Sequence, residues 1–172
     1  MAHDEEFVAF AAARGPALRR TAYLLCGDWH AAEDLVQDTF ARLYVRWGRL
    51  SRRDALDPYA RKVLLRLYLD RNRLARSSEV PTAEPGDGAA EAARTDDRPE
   101  DRLDLMRALD RLPPRQRLVL VLRFWDDLAV STVADLMQAP EGTVKSLTAR
   151  GLDALRAELA RHGTLIDVRG DE

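Results

Sequence analysis

The chain has 172 residues, 46% hydrophobic and 33% charged, which allows one medium or two small domains with a buried core. A single cysteine, Cys26, excludes an internal disulfide framework, and the three histidines are too far apart to suggest a metal site. No apolar run approaches the ~20 residues that span a bilayer, and the acidic start MAHDEEFVAF is unlike a secretory signal. We therefore expect a cytoplasmic protein without membrane insertion, metal or cofactor.

The formal net charge of -2 hides two segments of opposite charge. Residues 60–76 contain six basic residues against one acid, a net of +5. Residues 79–104 contain nine acids against three arginines, a net of -6. A strongly cationic segment is thus followed directly by an acidic one.

The sequence pattern of the first 76 residues predicts four helices. EEFVAFAAAR runs to a break at Gly15 and Pro16, and PALRRTAYLLC runs to Gly27 and Asp28. HAAEDLVQDTFARLYVRW is the third helix. The fourth is the cationic segment, for which Asp57 suits the N-cap and Pro58 the first helical position.

The third helix carries an acidic patch on its outward side. Its members are Glu33, Asp34, Gln37 and Asp38. Such a patch repels DNA, so if the patch has a function, we expect it to bind a protein. The alternative is that acids in the first turns only favour the helix dipole.

The cationic helix places most of its charge on one stripe. The stripe is formed by Lys62, Arg66, Leu69, Arg73 and Arg76, which recur at spacings of three and four. Val63, Leu64, Leu67 and Tyr68 are left to face the core. A one-sided cationic stripe suits a phosphate backbone, although a solvated arginine-rich face has the same pattern.

Residues 77–99 predict a flexible acidic linker. The segment has three prolines, two glycines and no aromatic residue, so it cannot bury enough surface to offset the entropy of ordering. We expect an all-α protein in which domain 1–76 is joined by this linker to domain 100–162. A polar tail, 163–172, follows.

The second domain predicts four more helices, of which the last two have the layout of a helix-turn-helix. STVADLMQ, with Ser131 as its cap, is followed by a turn at residues 138–140 and by EGTVKSLTARGLDALRAEL. In this motif the N-terminal residues of the second helix reach base edges in the major groove. Lys145, Ser146 and Arg150 are the available donors. An ordinary helical hairpin has the same pattern.

Two sets of motifs resemble a known family. DRLPPRQRLVLVLRFWDDLAVSTVADLM followed by EGTVKS resembles region four of sigma-70-type factors, the promoter-specificity subunits of bacterial RNA polymerase. FVAFAAARGPALRRTAYLLCGDWHAAEDLVQDTFARLYVRW resembles region two. The two regions in this order, with only a linker between them, resemble the extracytoplasmic-function group. The segments AYLLCGD, AEDLVQ and GTVKSLTAR are most similar to its actinobacterial SigE-like subfamily.

The resemblance implies a non-enzymatic sigma factor that binds core RNA polymerase, recognises the -10 and -35 promoter elements and promotes initiation. It implies that the -35 element is bound by Thr143, Lys145, Ser146, Thr148, Ala149 and Arg150. It assigns the -10 element to the cationic stripe, Lys62, Arg66, Leu69, Arg73 and Arg76, with the loop 48–57 before it. That loop has no aromatic residue, so we expect base capture by polar contacts more than by stacking.

The resemblance also implies protein partners. The acidic patch matches the family surface that docks on the clamp helices of the largest polymerase subunit, and the flap of the second-largest subunit is a further contact. An anti-sigma factor often holds such proteins inactive. The alternative function, a stand-alone helix-turn-helix regulator, gives no reason for the acidic patch or for two DNA-directed domains. An enzyme is disfavoured, because no nucleophile–base pair, phosphate loop or metal cluster is visible.

Three positions of the second domain and one of the first depart from the family pattern. Gln138 stands where the family usually has glycine, and a non-glycine residue at positive φ costs roughly 1 kcal/mol, which a distorted or differently built turn would relieve. Pro140 stands where serine usually caps the next helix. Gly151 costs ~1 kcal/mol relative to alanine inside a helix. Arg66 replaces a frequent asparagine.

Overall fold

The computed structural model describes residues 2–50, 55–77 and 99–161, and within these ranges the secondary structure is helical without strands. The all-α fold class is therefore confirmed. The α-helices are α1 (Ala2–Cys26), α2 (Trp29–Arg46), α3 (Leu56–Ser77), α4 (Pro99–Asp110), α5 (Pro114–Leu120), α6 (Val130–Met137) and α7 (Glu141–Arg161). The predicted linker, apart from residues 77 and 99, and the tail 163–172 lie outside the described residues.

The first helix is continuous, so the predicted break at Gly15 and Pro16 is wrong. Pro16 lies inside α1, where it removes one backbone donor at a cost of about 3 kcal/mol. Packing on α2 offsets that cost: Phe7 contacts Tyr44 edge to face with ring centroids 5.1 Å apart. Gly15 is buried, and a Cβ there would lie 3.9 Å from the ring of Phe40.

A tight turn joins α1 to α2. Gly27 has φ +75°, a left-handed conformation that favours glycine, and its N–H donates to the carbonyl oxygen of Tyr23 at 2.8 Å. Asp28 then caps α2, because its carboxylate accepts a hydrogen bond from the N–H of Ala31 at 2.8 Å. The 3₁₀ turn Trp47–Arg49 follows α2.

The cationic helix α3 begins at Leu56 and not at Pro58, so the predicted N-cap at Asp57 is wrong by two residues. Leu56 is buried, which draws it into the helix, and Asp57 occupies the first turn. The Asp57 carboxylate pairs with Arg61 at 3.3 Å and with Arg14 at 3.4 Å. The predicted core side is largely confirmed, since Leu64, Leu67 and Tyr68 are buried, Val63 is half-buried, and Leu65 is buried in addition.

In the second half, α5 runs into one turn of π-helix, Val121–Trp125, where the N–H of Asp126 donates to the carbonyl oxygen of Val121 at 3.0 Å. The predicted cap at Ser131 is wrong. The helix begins at Val130, preceded by Ala129, and Ser131 is an exposed residue of its first turn.

The glycine within α7 has a packing reason. Gly151 is buried against α5, and a Cβ there would lie 3.2 Å from Cγ of Leu120, tighter than most real contacts. The glycine therefore lets α7 approach α5 closely, which its helix propensity alone does not explain.

The two halves pack against each other. We call α1–α3 the first block and α4–α7 the second block. Leu25 and Leu64 of the first block share one buried cluster with Leu118, Leu122 and Val133 of the second. A smaller cluster, centred on Leu109, Leu155 and Leu159, lies within the second block. None of the helices in the described ranges has the length and apolarity to cross a membrane.

Candidate DNA and polymerase interfaces

The turn between α6 and α7 keeps the left-handed position at which the family usually has glycine, so no distorted or differently built turn relieves the strain there. Gln138 adopts the left-handed conformation (φ 51°, ψ 46°), and its N–H donates to the carbonyl oxygen of Asp135 at 3.3 Å. The roughly 1 kcal/mol of strain that glycine would avoid is therefore retained at this position. Pro140 precedes α7, and its carbonyl oxygen accepts from Thr143 at 3.0 Å and from Val144 at 3.2 Å.

The first turns of α7 present one polar surface. Val144 is buried beneath this surface and anchors the helix, and the residues that the sequence analysis assigned to the -35 element surround it. Thr143, Lys145, Ser146, Ala149 and Arg150 are exposed, while Thr148 is half-buried. The hydroxyl of Thr148 donates to the carbonyl oxygen of Val144 at 2.7 Å. Lys145 and Arg150 form no ion pair with any other described residue, so their charges are available to phosphates or guanine edges.

Ion pairing sorts the cations of α3 into two groups. Nη1 of Arg61 lies 2.7 Å from the carboxylate of Asp126, and Nη2 of Arg71 lies 2.7 Å from that of Asp38. These two arginines are therefore engaged in ion pairs within the protein. The other cations of α3 are those of the predicted stripe, Lys62, Arg66, Arg73 and Arg76.

An open groove of about 630 Å³ separates α2 from α3. Its walls include Lys62 and Arg66. They also include Arg42, Arg46 and Tyr59, which the sequence analysis did not assign to a site. Nη1 of Arg46 donates to the hydroxyl of Tyr59 at 2.9 Å, which fixes the ring against the cationic wall. The spacing of Arg42 and Arg46 by four residues was the only sequence signal for this wall. Four cations beside an aromatic ring suit the backbone and bases of a single strand.

A second, smaller cavity of about 140 Å³ lies between α3 and the second block. Lys62, Arg66 and Leu69 line it from α3, and Gln138 lines it from the opposite side. Nη2 of Arg66 donates to Oε1 of Gln138 at 3.0 Å. The stripe is thus divided: its first three residues border this seam, whereas Arg73 and Arg76 are exposed beyond it.

The acidic patch lies on one face of α2, and two of its members are paired. Glu33 meets Arg19 through both carboxylate oxygens, at 2.8 and 3.0 Å, and Asp38 meets Arg71. Asp34 and Gln37 are exposed, and neither side chain bonds to another described residue. Exposed ion pairs contribute about 0–1 kcal/mol, so a partner's cations can replace Arg19 at small cost.

Burial shifts the pKa values of several titratable groups in the described ranges. Burial raises the pKa of Cys26 to about 11, which keeps it as an unreactive thiol at neutral pH. Burial also raises the pKa of Asp126, although Arg61 and the hydroxyl of Thr21 oppose the shift. Within these ranges no three His, Cys, Asp or Glu side chains are grouped as metal ligands.

Known proteins resemble the chain in both blocks. The family model "Sigma-70 region 2" matches residues 10–78, and "Sigma-70, region 4" matches residues 108–157. The RNA polymerase sigma-E factor of Streptomyces avermitilis is 37% identical over 164 residues, covering 92% of this chain and 89% of the relative. The sigma-E factor of Streptomyces coelicolor is 36% identical over 158 residues, covering 90% and 86%.

More distant similarity extends to other bacteria and to a solved structure. The ECF RNA polymerase sigma factor SigW of Bacillus subtilis is 28% identical over 149 residues and covers 80% of each chain. The sigma factor RpoE of Bartonella quintana, solved in complex with the anti-sigma factor NepR, superposes with a TM-score of 0.72 at 24% identity. That superposition covers 91% of this chain and 98% of the other, and it supports the fold.

Proposed function

This chain belongs to the sigma-70 family, in its extracytoplasmic-function group, and we propose that its two blocks divide promoter recognition between them. It is a sigma factor for transcription initiation, with core RNA polymerase and promoter DNA as partners. The observation that carries this conclusion is the presence of both family regions, in order, on separate blocks with separate polar surfaces.

The second block binds the -35 element as duplex DNA. The start of α7 enters the major groove, where Lys145 and Arg150 contact phosphates or guanine edges and Ser146 contacts either a base or a phosphate. Thr143, Thr148 and Ala149 complete the surface. The support for this assignment is that Lys145 and Arg150 are exposed beside the buried anchor Val144.

The first block binds the -10 element as a partly opened strand. Lys62, Arg66, Leu69, Arg73 and Arg76 supply the cationic track. We add Arg42, Arg46 and Tyr59, because they line the same groove as Lys62 and Arg66. Unstacking a base costs a few kcal/mol, and stacking on Tyr59 is worth about 1–3 kcal/mol, so the ring can offset much of that cost. The expectation that the loop 48–57 captures bases by polar contacts more than by stacking stays a prediction, because residues 51–54 lie outside the described residues.

The acidic patch is the polymerase surface. Glu33, Asp34, Gln37 and Asp38 dock on the clamp helices of the largest subunit, and the second block contacts the flap of the second-largest subunit. An anti-sigma factor is a candidate third partner, since the Bartonella RpoE structure contains one. We assign 1–76 to region two, 77–99 to the linker, 100–162 to region four and 163–172 to the tail. We expect the protein to be cytoplasmic, because it acts together with core RNA polymerase.

The protein acts by binding, and we propose that it catalyses no reaction itself. A stand-alone helix-turn-helix regulator is disfavoured, because the region 2 match and the α2–α3 groove have no role in such a protein. The decisive experiment is reconstituted transcription with core polymerase on genomic fragments. Specific transcripts that require the chain support the proposal. Sequence-specific operator binding without polymerase, combined with no transcripts, contradicts it.

A further inference from the structure

Helix α7 contains two glycines, and packing among the described residues explains only one of them. Gly151 is buried, and a Cβ there would lie 3.2 Å from Cγ of Leu120. Gly142 is exposed, and a Cβ there would lie more than 4 Å from every described atom beyond its neighbours in the same helix. The described part of the fold therefore leaves room for a side chain at residue 142.

The backbone at Gly142 does not require glycine either. The residue lies inside α7, one position after Glu141, and among the glycines of the described ranges the positive φ occurs at Gly27. In ordinary helical conformation glycine is less favourable than any residue except proline, because it loses the most backbone freedom on folding. Alanine at residue 142 would therefore favour the helix, and the glycine has no benefit within the described fold.

Gly142 begins the outward line of α7. At about 100° per residue, Gly142, Ser146 and Ala149 lie within roughly 60° of one another, on the side opposite the buried face of the helix. All three are exposed. Lys145 and Arg150 are also exposed, and they flank this line on its two sides. The line itself is formed by small residues, whereas the cations beside it have long side chains.

The depth of α7 in a DNA groove affects these two kinds of residue differently. The short side chain of Ser146 reaches a base edge only if the helix axis lies deep in the groove. The long, flexible side chains of Lys145 and Arg150 still reach phosphates when the helix lies further out. Since base contacts specify a sequence and phosphate contacts only position the protein, the depth of α7 controls sequence recognition more than affinity.

The room for α7 in the major groove is small. The groove is about 12 Å wide, and a helix with its side chains is about 10–12 Å in diameter. A side chain added to the outward line would therefore meet the DNA before Ser146 does. Glycine is the residue that lets a backbone approach a ligand most closely, and this role accounts for Gly142 where the described fold does not.

We propose that Gly142 is a positioning residue for promoter recognition, whose missing side chain lets α7 lie deep enough in the major groove for Ser146 to contact a base edge. This inference rests on the function proposed above. Gly142 contributes to specificity for the -35 element without a side-chain hydrogen bond of its own. Any side chain at residue 142 holds the helix away from the bases.

The test compares the parent chain with Gly142→Ala and Gly142→Leu. Thermal unfolding is measured on the free proteins, and transcription is measured with core polymerase on promoters in which each -35 base pair is replaced in turn. Gly142→Ala should unfold at the parent's temperature or up to about 4 °C higher. Its preference for the best -35 sequence over single-base variants should nevertheless fall on the order of tenfold, because a base contact is lost. Gly142→Leu should lose at least as much preference.

Ala157→Gly is the matched control. It exchanges the same two residue types at an exposed position of α7, about 22 Å further along the helix axis. Its unfolding midpoint should fall by about 2–4 °C, while its -35 preference stays that of the parent. The pair of variants therefore separates promoter preference from helix stability, since the more stable protein is the one that should lose preference.

Three results would overturn the role of Gly142. They are a Gly142→Ala protein with the parent's preference at every -35 position, a lowered unfolding midpoint in that protein, and an equal loss of preference in Ala157→Gly. If Gly142→Leu loses helix by circular dichroism, Gly142→Ala decides alone. A parent that supports no transcription contradicts the proposed sigma function, and this inference falls with it. A parent that transcribes and reads the -35 element as well as Gly142→Ala does contradicts the role of Gly142 alone.

Discussion

Nε of Arg117 in α5 donates a hydrogen bond to the backbone carbonyl oxygen of Leu24 in α1 at 2.6 Å. The arginine side chain is only 6% exposed, and its Nη1 also pairs with Asp110. Leu24 lies in the last turn of α1, where carbonyl oxygens lack partners within the helix and a cation is favourable. Arg117 thus fastens the second block to the end of α1.

Replacing Arg117 by alanine should destabilise the protein by about 2–3 kcal/mol, because a buried charge-assisted hydrogen bond is lost and its acceptors are left buried. The midpoint of urea unfolding measures this loss. Arg115→Ala, at an exposed position of the same helix, is the control and should stay within about 0.5 kcal/mol of the parent. Equal midpoints for the two variants would show that the Leu24 contact contributes nothing.

Asp126 should make the protein less stable as pH rises. Burial raises its pKa above the ordinary 3.8, and the opposing effects of Arg61 and Thr21 do not cancel the shift. The folded state therefore binds this proton more tightly than the unfolded state does. The resulting stability is fully present below 3.8 and is lost as pH rises through the raised pKa.

The comparison with Asp126→Asn isolates this effect, since asparagine does not titrate. Unfolding free energies of both proteins are measured from acidic to neutral pH. The unfolding free energy of the variant should increase relative to that of the parent as pH rises through that window. A variant that loses ground instead would mean that the Arg61 ion pair outweighs the burial of the carboxylate.

Substitutions on the exposed surface of α7 should affect DNA binding without affecting stability. Lys145→Ala and Arg150→Ala should lower transcription from the cognate promoter while stability stays within about 0.5 kcal/mol, because both side chains are exposed. A variant that has lost a base contact should discriminate less at one -35 position, by ~1–3 kcal/mol. Leu155→Ala, in contrast, should cost ~2–5 kcal/mol of stability, because Leu155 is buried.

These three variants are tested by thermal unfolding and by transcription from promoters with altered -35 bases. The assignment of α7 would be wrong if Arg150→Ala lost stability while promoter preference was untouched in both charge variants. Leu155→Ala serves as the internal standard for an effect through folding.

Asp34→Lys should weaken association with core polymerase while helical content is unchanged. Asp34 is exposed without a bonding partner in the described ranges, so its replacement disturbs no internal contact. It is a cleaner probe than Asp38→Lys, which would also release Arg71. Titration against immobilised core polymerase provides the measurement. Glu5→Lys makes the same charge change on exposed α1, and a similar loss of affinity there would reduce the effect to net charge.

Local patterns predicted much of the structure. The spacing of Lys62, Arg66, Arg73 and Arg76 identified one face of α3, and the remaining α3 arginines proved to be paired with acids. Periodicity also identified Leu155 as a core residue. Such predictions succeed because residues three and four apart share a helix face whatever the helix packs against. The assignments of these faces to DNA and polymerase are still proposals.

Local signals failed where packing outweighed them. Gly15 and Pro16 do not break α1, because its contacts with α2 offset the cost of an interior proline. Ser131 does not cap α6, and Asp57 does not cap α3. Each error moved a helix end or added one. Differences in propensity or capping are worth about 1–3 kcal/mol, which is too small to fix a helix end against tertiary contacts.

The sequence alone determined the all-helical class, the polar and apolar faces, and the resemblance to both sigma regions, since these depend on neighbours within a few turns or on contiguous motifs. The tertiary structure decided which faces meet. Arg66 and Gln138 are 72 positions apart, and neither the hydrogen bond between them nor the one from Arg46 to Tyr59 has a local signature. Gly151 against Leu120 is a further case, because a missing Cβ has meaning only beside the helix that occupies its space.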